Sequence, residues 1–416
     1  MAKNPSRQRN SARGMTAVSM LFFFAGFLLL ALKRWEWQCF LLAAVVPALI
    51  FAGNEILPHL FPSDRLLLCL TNFLCALGVL ILYRISPARG LTQALNYGVG
   101  VGGMVLSAQL VRHVRSWKLL TLLMMAGSMA LLSLPLLIGK EQNGAKNWIW
   151  IGGHSLQPSE IVKLALLLCM SYLLSRRKAL LSILFGGACL AMLMLQKDLG
   201  TALLYYGLCL AMLFAATGSL LLVGAGLAGG AGAAVLGYKM FKHVKDRLAV
   251  WQDPWKYAND AGYQIVYSFI AIANGGLWGT GLGLGNASST IPEAYNDFIF
   301  PVILNEFGLI FGVIVVLMYL FIVIRAVMIA RRSNTLFHAL LAVGCAALIT
   351  LQAFVIIAGN IKLIPLTGVT LPFISYGGTS MLSSLCMIGF LQGIASRNRA
   401  SVAEDRALAM QGGDAP

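Results

Sequence analysis

The sequence predicts an all-α protein that crosses a membrane many times. Hydrophobic residues make up 59% of the 416 residues and charged residues only 11%, whereas charged residues make up roughly a quarter of a soluble domain. The mean hydropathy is +0.80. Apolar runs of about 20 residues recur along the chain, and a helix of that length crosses the hydrocarbon core of a bilayer. We therefore predict about twelve transmembrane helices and one long extracytoplasmic loop.

The first predicted helix covers residues 15–32 and follows a basic tail at 1–14, which we expect to be disordered and cytoplasmic. We interpret this run as a retained anchor, because it is long, lacks a small-residue cleavage site and is followed by Lys33-Arg34-Trp35. A second polar tail is predicted at 396–416. The remaining helices are predicted at 38–57, 66–84, 93–111, 119–139, 159–175, 180–196, 200–217, 219–239, 299–324, 335–358 and 372–393.

Basic residues predict the orientation, since cytoplasmic loops carry an excess of lysine and arginine. We predict that the basic groups below face the cytoplasm, as do both termini. The loops 140–158, 240–298 and 359–371 then face outward, and so do the short links 33–37 and 85–92. Lys33, Arg34 and Arg89 in those links run against the rule. The cytoplasmic set comprises Arg7, Arg9, Arg13, Arg112, His113, Arg115, Lys118, Arg176, Arg177, Lys178, Arg331, Arg332, Arg397 and Arg399.

The net charge of +16 would suggest nucleic acid as the partner of a soluble protein. In a membrane protein, helix orientation already explains most of it, so no nucleic-acid partner is expected. The eight cysteines lie in or beside apolar runs without a CxxC or Cys/His cluster, which argues against a metal site and a disulfide framework.

Two outward loops are also basic, although lysine and arginine there gain nothing from orientation. One loop contains Lys140 and Lys146. The other loop contains Lys242, His243, Lys245, Arg247 and Lys256. A bound anion such as a phosphate would explain the basic residues of both loops, and attraction to anionic lipid head groups would explain them equally well.

When the acids assigned to the tails, to the short N-terminal loops and to the outer loops are set aside, four of the fifteen acidic residues remain at or inside membrane helices, where ionisable groups are costly and therefore functional candidates. Glu160 precedes Lys163 by one helical turn, so a structural ion pair is the alternative. Asp198 can cap the next helix. Glu306 lies inside a helix and needs a partner. Asp297 ends the longest loop, and both capping and function remain open for it.

The glycine ladder at 279–285 does not follow a strand or open a βαβ unit, so it is not a dinucleotide-binding fingerprint. Glycine in such a pattern favours a close approach of the backbone to a helix or a ligand. Interrupted helices with buried acids also occur in transporters, which keeps transport as an alternative.

Several ordered motifs match one family. Gly144–Trp148 and Gln157–Glu160 with Lys163 form a first outer-loop signature, and Asp198–Ala202 forms a second. The long loop and the last outward loop supply the others: Gly262–Gln264 with Ser268, Gly276–Gly279 with Gly281 and Gly283, Pro292–Ala294, Asp297–Phe300, Pro365 with Thr367 and Gly368, and Leu371–Gly378. Across roughly residues 66–395 the chain resembles the SEDS family of FtsW, RodA and SpoVE, whose core has ten helices. Residues 15–65 then look like an additional N-terminal pair.

The resemblance implies a peptidoglycan glycosyltransferase in the bacterial cytoplasmic membrane. It would polymerise lipid II at the outer face, with Asp297 as the essential aspartate and general base, together with a class B penicillin-binding protein. No cofactor is certain, although a divalent cation could assist the pyrophosphate. A lipid II flippase and a non-catalytic scaffold are the alternatives. The residues expected to bind substrate are Lys146, Trp148, Gln157, Glu160, Lys163, Asp198, Lys242, Lys245, Arg247, Gln264 and Ser375.

Three positions depart from the pattern of the family. Asn147 stands where an arginine usually precedes the tryptophan, Lys197 interrupts a Gln-Pro-Asp-Leu-Gly-Thr motif, and Tyr295-Asn296 replaces a His-Thr pair before Asp297.

Overall fold

The computed structural model describes residues 5–114, 116–142, 144–152 and 154–411. Eleven helices in this part are long and apolar enough to cross a membrane, and Ala179–Leu195 is a shorter apolar helix. The first helices are α1 Pro5–Arg34, α2 Trp37–Phe51, α3 Leu57–Leu60, α4 Arg65–Ile85, α5 Pro87–His113, α6 Lys118–Ile138, α7 Pro158–Ser175 and α8 Ala179–Leu195. The others are α9 Leu199–Thr217, α10 Leu220–Met240, α11 Lys242–Gln252, α12 Tyr263–Gly275, α13 Ala287–Thr290, α14 Ile299–Arg331, α15 Leu336–Asn360 and α16 Gly378–Gln411.

The prediction of an all-α membrane protein is confirmed, with a small sheet that it did not include. Strands β1 Lys140–Gln142, β2 Ala145–Ile151 and β3 His154–Leu156 pair antiparallel in that order. The central strand carries the run Trp-Ile-Trp-Ile, and aromatic and β-branched residues favour strands. The described residues of the loop between α6 and α7 therefore include regular β-structure.

The described parts of two predicted tails are helical instead; residues 1–4 and 412–416 lie outside the described residues. Residues 5–14 continue α1, because Pro5 suits the first turn of a helix and the arginines and glutamine that follow have high helix propensity. At the other end, α16 extends to Gln411. It begins at Gly378 rather than at residue 372, because the Ser375 hydroxyl accepts a hydrogen bond from Leu371 N at 2.9 Å and so holds a turn there.

The loops separate onto two ends of the helical bundle. At one end, Lys146 N donates to Gln196 O at 2.9 Å and Tyr376 N donates to Tyr295 O at 3.0 Å. We call this end the Asp297 side; it contains the links and loops near residues 33–37, 85–92, 139–157, 196–198, 241–298 and 361–377. The sequence predicts that these segments lie together, opposite the cytoplasmic basic set; the tight turn 197–199 is predicted on the same side as the outward loops.

At the opposite end of the bundle, other contacts connect the loops and helix ends to one another. Asp64 forms an ion pair with Arg325, and Arg397 Nη1 donates to Arg112 O at 2.9 Å. Asn334 Nδ2 donates to Ser401 Oγ at 2.7 Å. The structure therefore joins three of the predicted basic segments at one end, those near Arg112, Asn334 and Arg397.

The glycine ladder approaches a helix, as the sequence indicated. A Cβ added to Gly279 would lie 2.2 Å from Glu306 O, so only glycine allows this contact. Helix α14 is interrupted at the same level by Gly308, with φ 82° and ψ 173°. The freed backbone groups are satisfied by the long loop: Gly281 N donates to Glu306 O at 2.9 Å, and Leu309 N donates to Gly276 O at 2.9 Å. The long loop thus fills a break in a membrane helix.

Candidate functional site

Asp297 lies one residue before the N-cap of α14, which is Phe298 and lacks a side-chain cap. Its Oδ1 atom is buried, and no described residue forms a hydrogen bond to it. On the other side of the carboxyl group, a Cβ added to Gly368 would lie 3.7 Å from Oδ2. Asp297 is therefore not a helix cap, and its carboxylate retains hydrogen-bonding capacity for another molecule.

The loop 361–377 fixes the backbone just before Asp297. The Ser375 hydroxyl donates to Asn296 O at 2.8 Å, and Tyr376 N donates to Tyr295 O at 3.0 Å. Ser375 is buried, and its carbonyl accepts from Gln93 Nε2 at 3.0 Å. Its hydroxyl thus positions the residues beside Asp297 and does not face an open site.

Arg89 is a neighbour of this group that the sequence analysis did not propose. Its guanidinium lies 3.5 Å from the ring centroid of Tyr295, within the range of a cation–π interaction. Burial, and then the nearby Glu293, raise the pKa of Tyr295 to about 12. The available signal was that Arg89 lies in a link where a cation runs against the positive-inside rule.

The charge state of Asp297 is set by three influences. Burial, and then the negative charge of Glu293, raise its pKa to about 7, while the positive charge of Arg247 opposes them. Desolvation disfavours the ionised form of a carboxyl group, whereas a nearby cation favours it. A carboxyl group with this pKa can accept and release a proton near neutral pH.

Arg247 is the predicted basic residue that the structure brings to Asp297. It extends from α11, and its Nη1 donates to Leu366 O at 3.4 Å and Thr367 O at 3.2 Å. These carbonyls immediately precede Gly368. Both bonds come from Nη1, so the three N–H groups on Nη2 and Nε remain available for an anion.

The other predicted residues of the long loop lie on α11 and α12. Lys242 and Lys245 are exposed on α11, where Lys245 Nζ lies 5.9 Å from the ring centroid of Tyr238. Gln264 is half-buried in the first turn of α12. No described contact ties these three side chains to Asp297.

Asp198 is held in a separate cluster by its neighbours. Asn147 Nδ2 donates to Asp198 Oδ2 at 2.8 Å, and Gln157 Nε2 donates to the same oxygen at 3.1 Å. Thr201 N donates to Oδ1 at 3.1 Å, which makes Asp198 the N-cap of α9. The capping alternative is therefore observed, and the cluster fastens β2 to the starts of α7 and α9.

Two of the predicted substrate-binding residues, Lys146 and Trp148, lie on strand β2. Lys146 Nζ donates to Leu136 O at 2.9 Å, near the C-terminal end of α6, where a cation interacts favourably with the helix dipole. Trp148 is half-buried on β2. The Lys146 ammonium group is thus bound to a helix end rather than presented as a free cation.

Glu160 and Lys163 form the ion pair that the sequence allowed, with Nζ 2.5 Å from Oε2. Lys163 is only 1% exposed, and its Nζ also donates to Gln352 Oε1 at 3.2 Å. Gln352 Nε2 in turn donates to Thr370 O at 2.9 Å, and Ser383 donates to Glu160. The pair therefore supports the loop 361–377, which surrounds Asp297.

Comparisons with known proteins agree with these features. A sequence model of the FtsW/RodA/SpoVE cell cycle proteins matches residues 64–400. A probable peptidoglycan glycosyltransferase FtsW from Geobacter sp. (strain M18) is 34% identical over 360 residues, which cover 81% of this chain and 97% of that protein. The peptidoglycan glycosyltransferase RodA of Mycobacterium tuberculosis (strain H37Rv) is 31% identical over 363 residues, covering 79% and 77%.

Solved structures show the same fold. The crystal structure of Rod shape determining protein RodA from Thermus thermophilus matches with a TM-score of 0.59 and 25% identity, covering 81% of this chain and 98% of that one. A chain of a peptidoglycan synthase complex that coordinates polymerization and crosslinking matches with a TM-score of 0.66 and 24% identity, covering 81% and 98%.

Proposed function

The chain belongs to the FtsW, RodA and SpoVE family, and on that premise we propose that it is a peptidoglycan glycosyltransferase with Asp297 as its general base. The observation that carries the proposal is the carboxyl group of Asp297, buried at Oδ1 without a partner among the described residues and adjacent to Arg247. We further propose that both donor and acceptor are lipid II, the polyprenyl-pyrophosphate-linked disaccharide.

The residues fit the chemistry of glycan extension. A hydroxyl of the acceptor sugar attacks the anomeric carbon of the donor, and its proton passes to Asp297 as the new C–O bond forms. The bond from the anomeric carbon to the pyrophosphate breaks, and its electron pair leaves with the polyprenyl pyrophosphate. Arg247 would stabilise that charge, and Lys242 and Lys245 on the same helix would support it.

A divalent cation would have to be held mainly by the pyrophosphate. Within the described part of the chain, no three His, Cys, Asp or Glu side chains are grouped closely enough to hold a metal ion. In the loops of this side lysine and arginine outnumber aspartate and glutamate, which disfavours a bound cation. Assays with magnesium and with a chelator would show whether the reaction requires one.

The proposed orientation places the Asp297 side outside the cytoplasmic membrane and both termini in the cytoplasm. The basic loops of the opposite end support it, since such loops remain cytoplasmic. A class B penicillin-binding protein is the proposed partner, because the matching peptidoglycan synthase complex combines polymerization with crosslinking.

The test of this function is polymerisation of labelled lipid II by the purified full-length chain in detergent. Sidedness has no meaning in detergent, so a transporter would yield no product there, whereas the enzyme is expected to form glycan chains. A scaffold would form none unless the penicillin-binding protein carried a polymerase of its own. Absence of product from folded protein, with and without the transpeptidase, would reject the enzyme.

The pH dependence of the reaction provides an independent prediction. Because the pKa of Asp297 is about 7, the fraction present as carboxylate falls as the pH drops through that value. We expect kcat/KM for lipid II to decrease tenfold per pH unit well below pH ~7. Initial rates measured between pH 5.5 and 8.5 check this; a rate independent of pH over that range would contradict the assignment.

Arg247→Gln is expected to lower kcat/KM by roughly tenfold or more, as for the loss of a charge-assisted hydrogen bond. The glutamine can still donate to the carbonyls of the loop but carries no charge for the pyrophosphate. Lys256→Gln is a matched control in the same long loop and should leave the rate unchanged. Equal rates for the two variants would show that Arg247 does not act on the leaving group.

A further inference from the structure

A cavity on the Asp297 side is lined by three basic residues from two parts of the chain. It has a volume of about 230 Å³ and is lined by Leu30, Lys33, Arg34, Arg84 and Gly283. One water molecule occupies roughly 30 Å³ of liquid, so the space is large enough for a tetrahedral anion. Asp297 is not among the lining residues.

The basic residues are anchored by backbone carbonyls and keep most of their donors. Lys33 Nζ donates to Gly283 O at 2.6 Å, Arg34 Nη2 donates to Arg84 O at 2.8 Å, and Arg84 Nη2 donates to Gly285 O at 2.8 Å. An ammonium group has three N–H donors and a guanidinium group has five. The cavity is therefore rich in positively charged donors that are already held in place.

The neighbouring acids neutralise only part of this charge. Glu306, whose side chain is 1% exposed, lies with Oε1 3.1 Å from Arg84 Nε, and its Oε2 accepts from Gly283 N at 3.2 Å. Glu36 accepts a hydrogen bond from the hydroxyl of Tyr83 and does not line the cavity. Among the described residues, Lys33 and Arg34 form no salt bridge, so two positive charges remain uncompensated.

Under the proposed orientation, Lys33 and Arg34 are not explained by the positive-inside rule. They end α1 on the same side as Asp297, where cations do not contribute to the orientation of helices. Both precede the 64–400 segment that matches the family, whereas Arg84 and Gly283 lie inside it. The cavity therefore forms only where the additional helix meets the core.

We propose that this cavity binds the phosphate of an anionic lipid head group or a free phosphate ion. Lys33, Arg34 and Arg84 would donate to its oxygens, as arginine and lysine do in phosphate sites generally. The exposed apolar side chains of Leu29 and Leu32 on α1 would lie beside the acyl chains of a lipid. The proposal does not depend on the glycosyltransferase activity.

Native mass spectrometry of the full-length chain tests the proposal. Protein delipidated in neutral detergent is titrated with phosphatidylglycerol, and separately with inorganic phosphate. We expect one equivalent to bind more tightly than the rest, and Lys33→Gln/Arg34→Gln to weaken that equivalent by about tenfold or more, as expected for lost charge-assisted hydrogen bonds. Arg176→Gln/Arg177→Gln, which removes two arginines at the opposite end, is the matched control.

The two titrations distinguish the sources of the phosphate. Residue-dependent binding of phosphatidylglycerol alone identifies a lipid site, and residue-dependent binding of inorganic phosphate identifies a site for the free anion. Thermal unfolding of each variant checks that it is folded, and the single variant Lys33→Gln replaces the double variant if that does not fold. Equal binding by the wild type and the folded Lys33 variant in both titrations would overturn the proposal.

Discussion

Asp297→Asn is expected to lower the rate of glycan polymerisation by about 10²- to 10⁴-fold, the contribution typical of a positioned general base. Asparagine has nearly the same shape as aspartate and fits between the loop 361–377 and the start of α14. Its amide cannot take the proton of the acceptor hydroxyl. The measurement is the initial rate of product formation from labelled lipid II at pH 8, where Asp297 of the wild type is ionised.

Loss of rate must be separated from loss of fold. Burial raises the pKa of Asp297 in the folded state to about 7, so the folded state loses stability as the pH rises from the usual aspartate range of ~4 to about 7, and the full penalty is present above that value. The amide of the Asp297→Asn variant does not ionise, and this variant should therefore unfold at the same temperature as the wild type or a higher one at pH 8. Glu293→Gln removes the neighbouring charge and should retain activity. If Asp297→Asn polymerises at the rate of the wild type, Asp297 has no part in the mechanism.

Glu160→Gln is expected to destabilise the folded protein by about 3–5 kcal/mol, as for a buried ion pair that loses one partner. Lys163 is 1% exposed, and the substitution would leave its charge without a carboxylate. The double variant Glu160→Gln/Lys163→Met removes both charges and should recover part of the loss.

Equilibrium unfolding in detergent compares the three proteins. Glu160 is linked through Lys163, Gln352 and Thr370 to the loop 361–377, so we also expect the single variant to lose activity. If the single variant is as stable as the wild type, the charge of Lys163 is compensated by other groups and the account of this cluster is wrong. An inactive double variant of normal stability would instead indicate a direct role in the reaction.

The length of the apolar runs and the positions of the charged residues were sufficient to predict the membrane fold. Each apolar run of the right length became a helix, because a bilayer requires every backbone group of a spanning segment to be paired internally. The free-energy cost of burying a charged side chain in a bilayer likewise indicated that Glu306 needed a partner. That partner is Arg84. The partner itself was not predictable, because residues 84 and 306 are brought together by long-range packing.

The surroundings of Asp297 were only partly predictable for the same reason. Family motifs indicated Asp297 and the loop 361–377, but not that the Ser375 hydroxyl would bind Asn296 O or that Arg89 would stack on Tyr295. The small sheet was missed because its outer strands have three residues each, too few to show a period of two. Asp198 and Lys146 were predicted to bind substrate, and the structure shows that both side chains form hydrogen bonds to neighbouring protein groups.

The most direct test of Asp297 as the general base is the acid limb of the pH–rate profile in Glu293→Gln, compared with the wild type. The charge of Glu293 raises the pKa of Asp297, so its removal should shift that limb to lower pH. Arg247→Gln, which removes the opposing charge, should shift it to higher pH. Opposite shifts in the two variants would show that ionisation of Asp297 controls the rate, and an acid limb that stays unchanged in both would contradict the account.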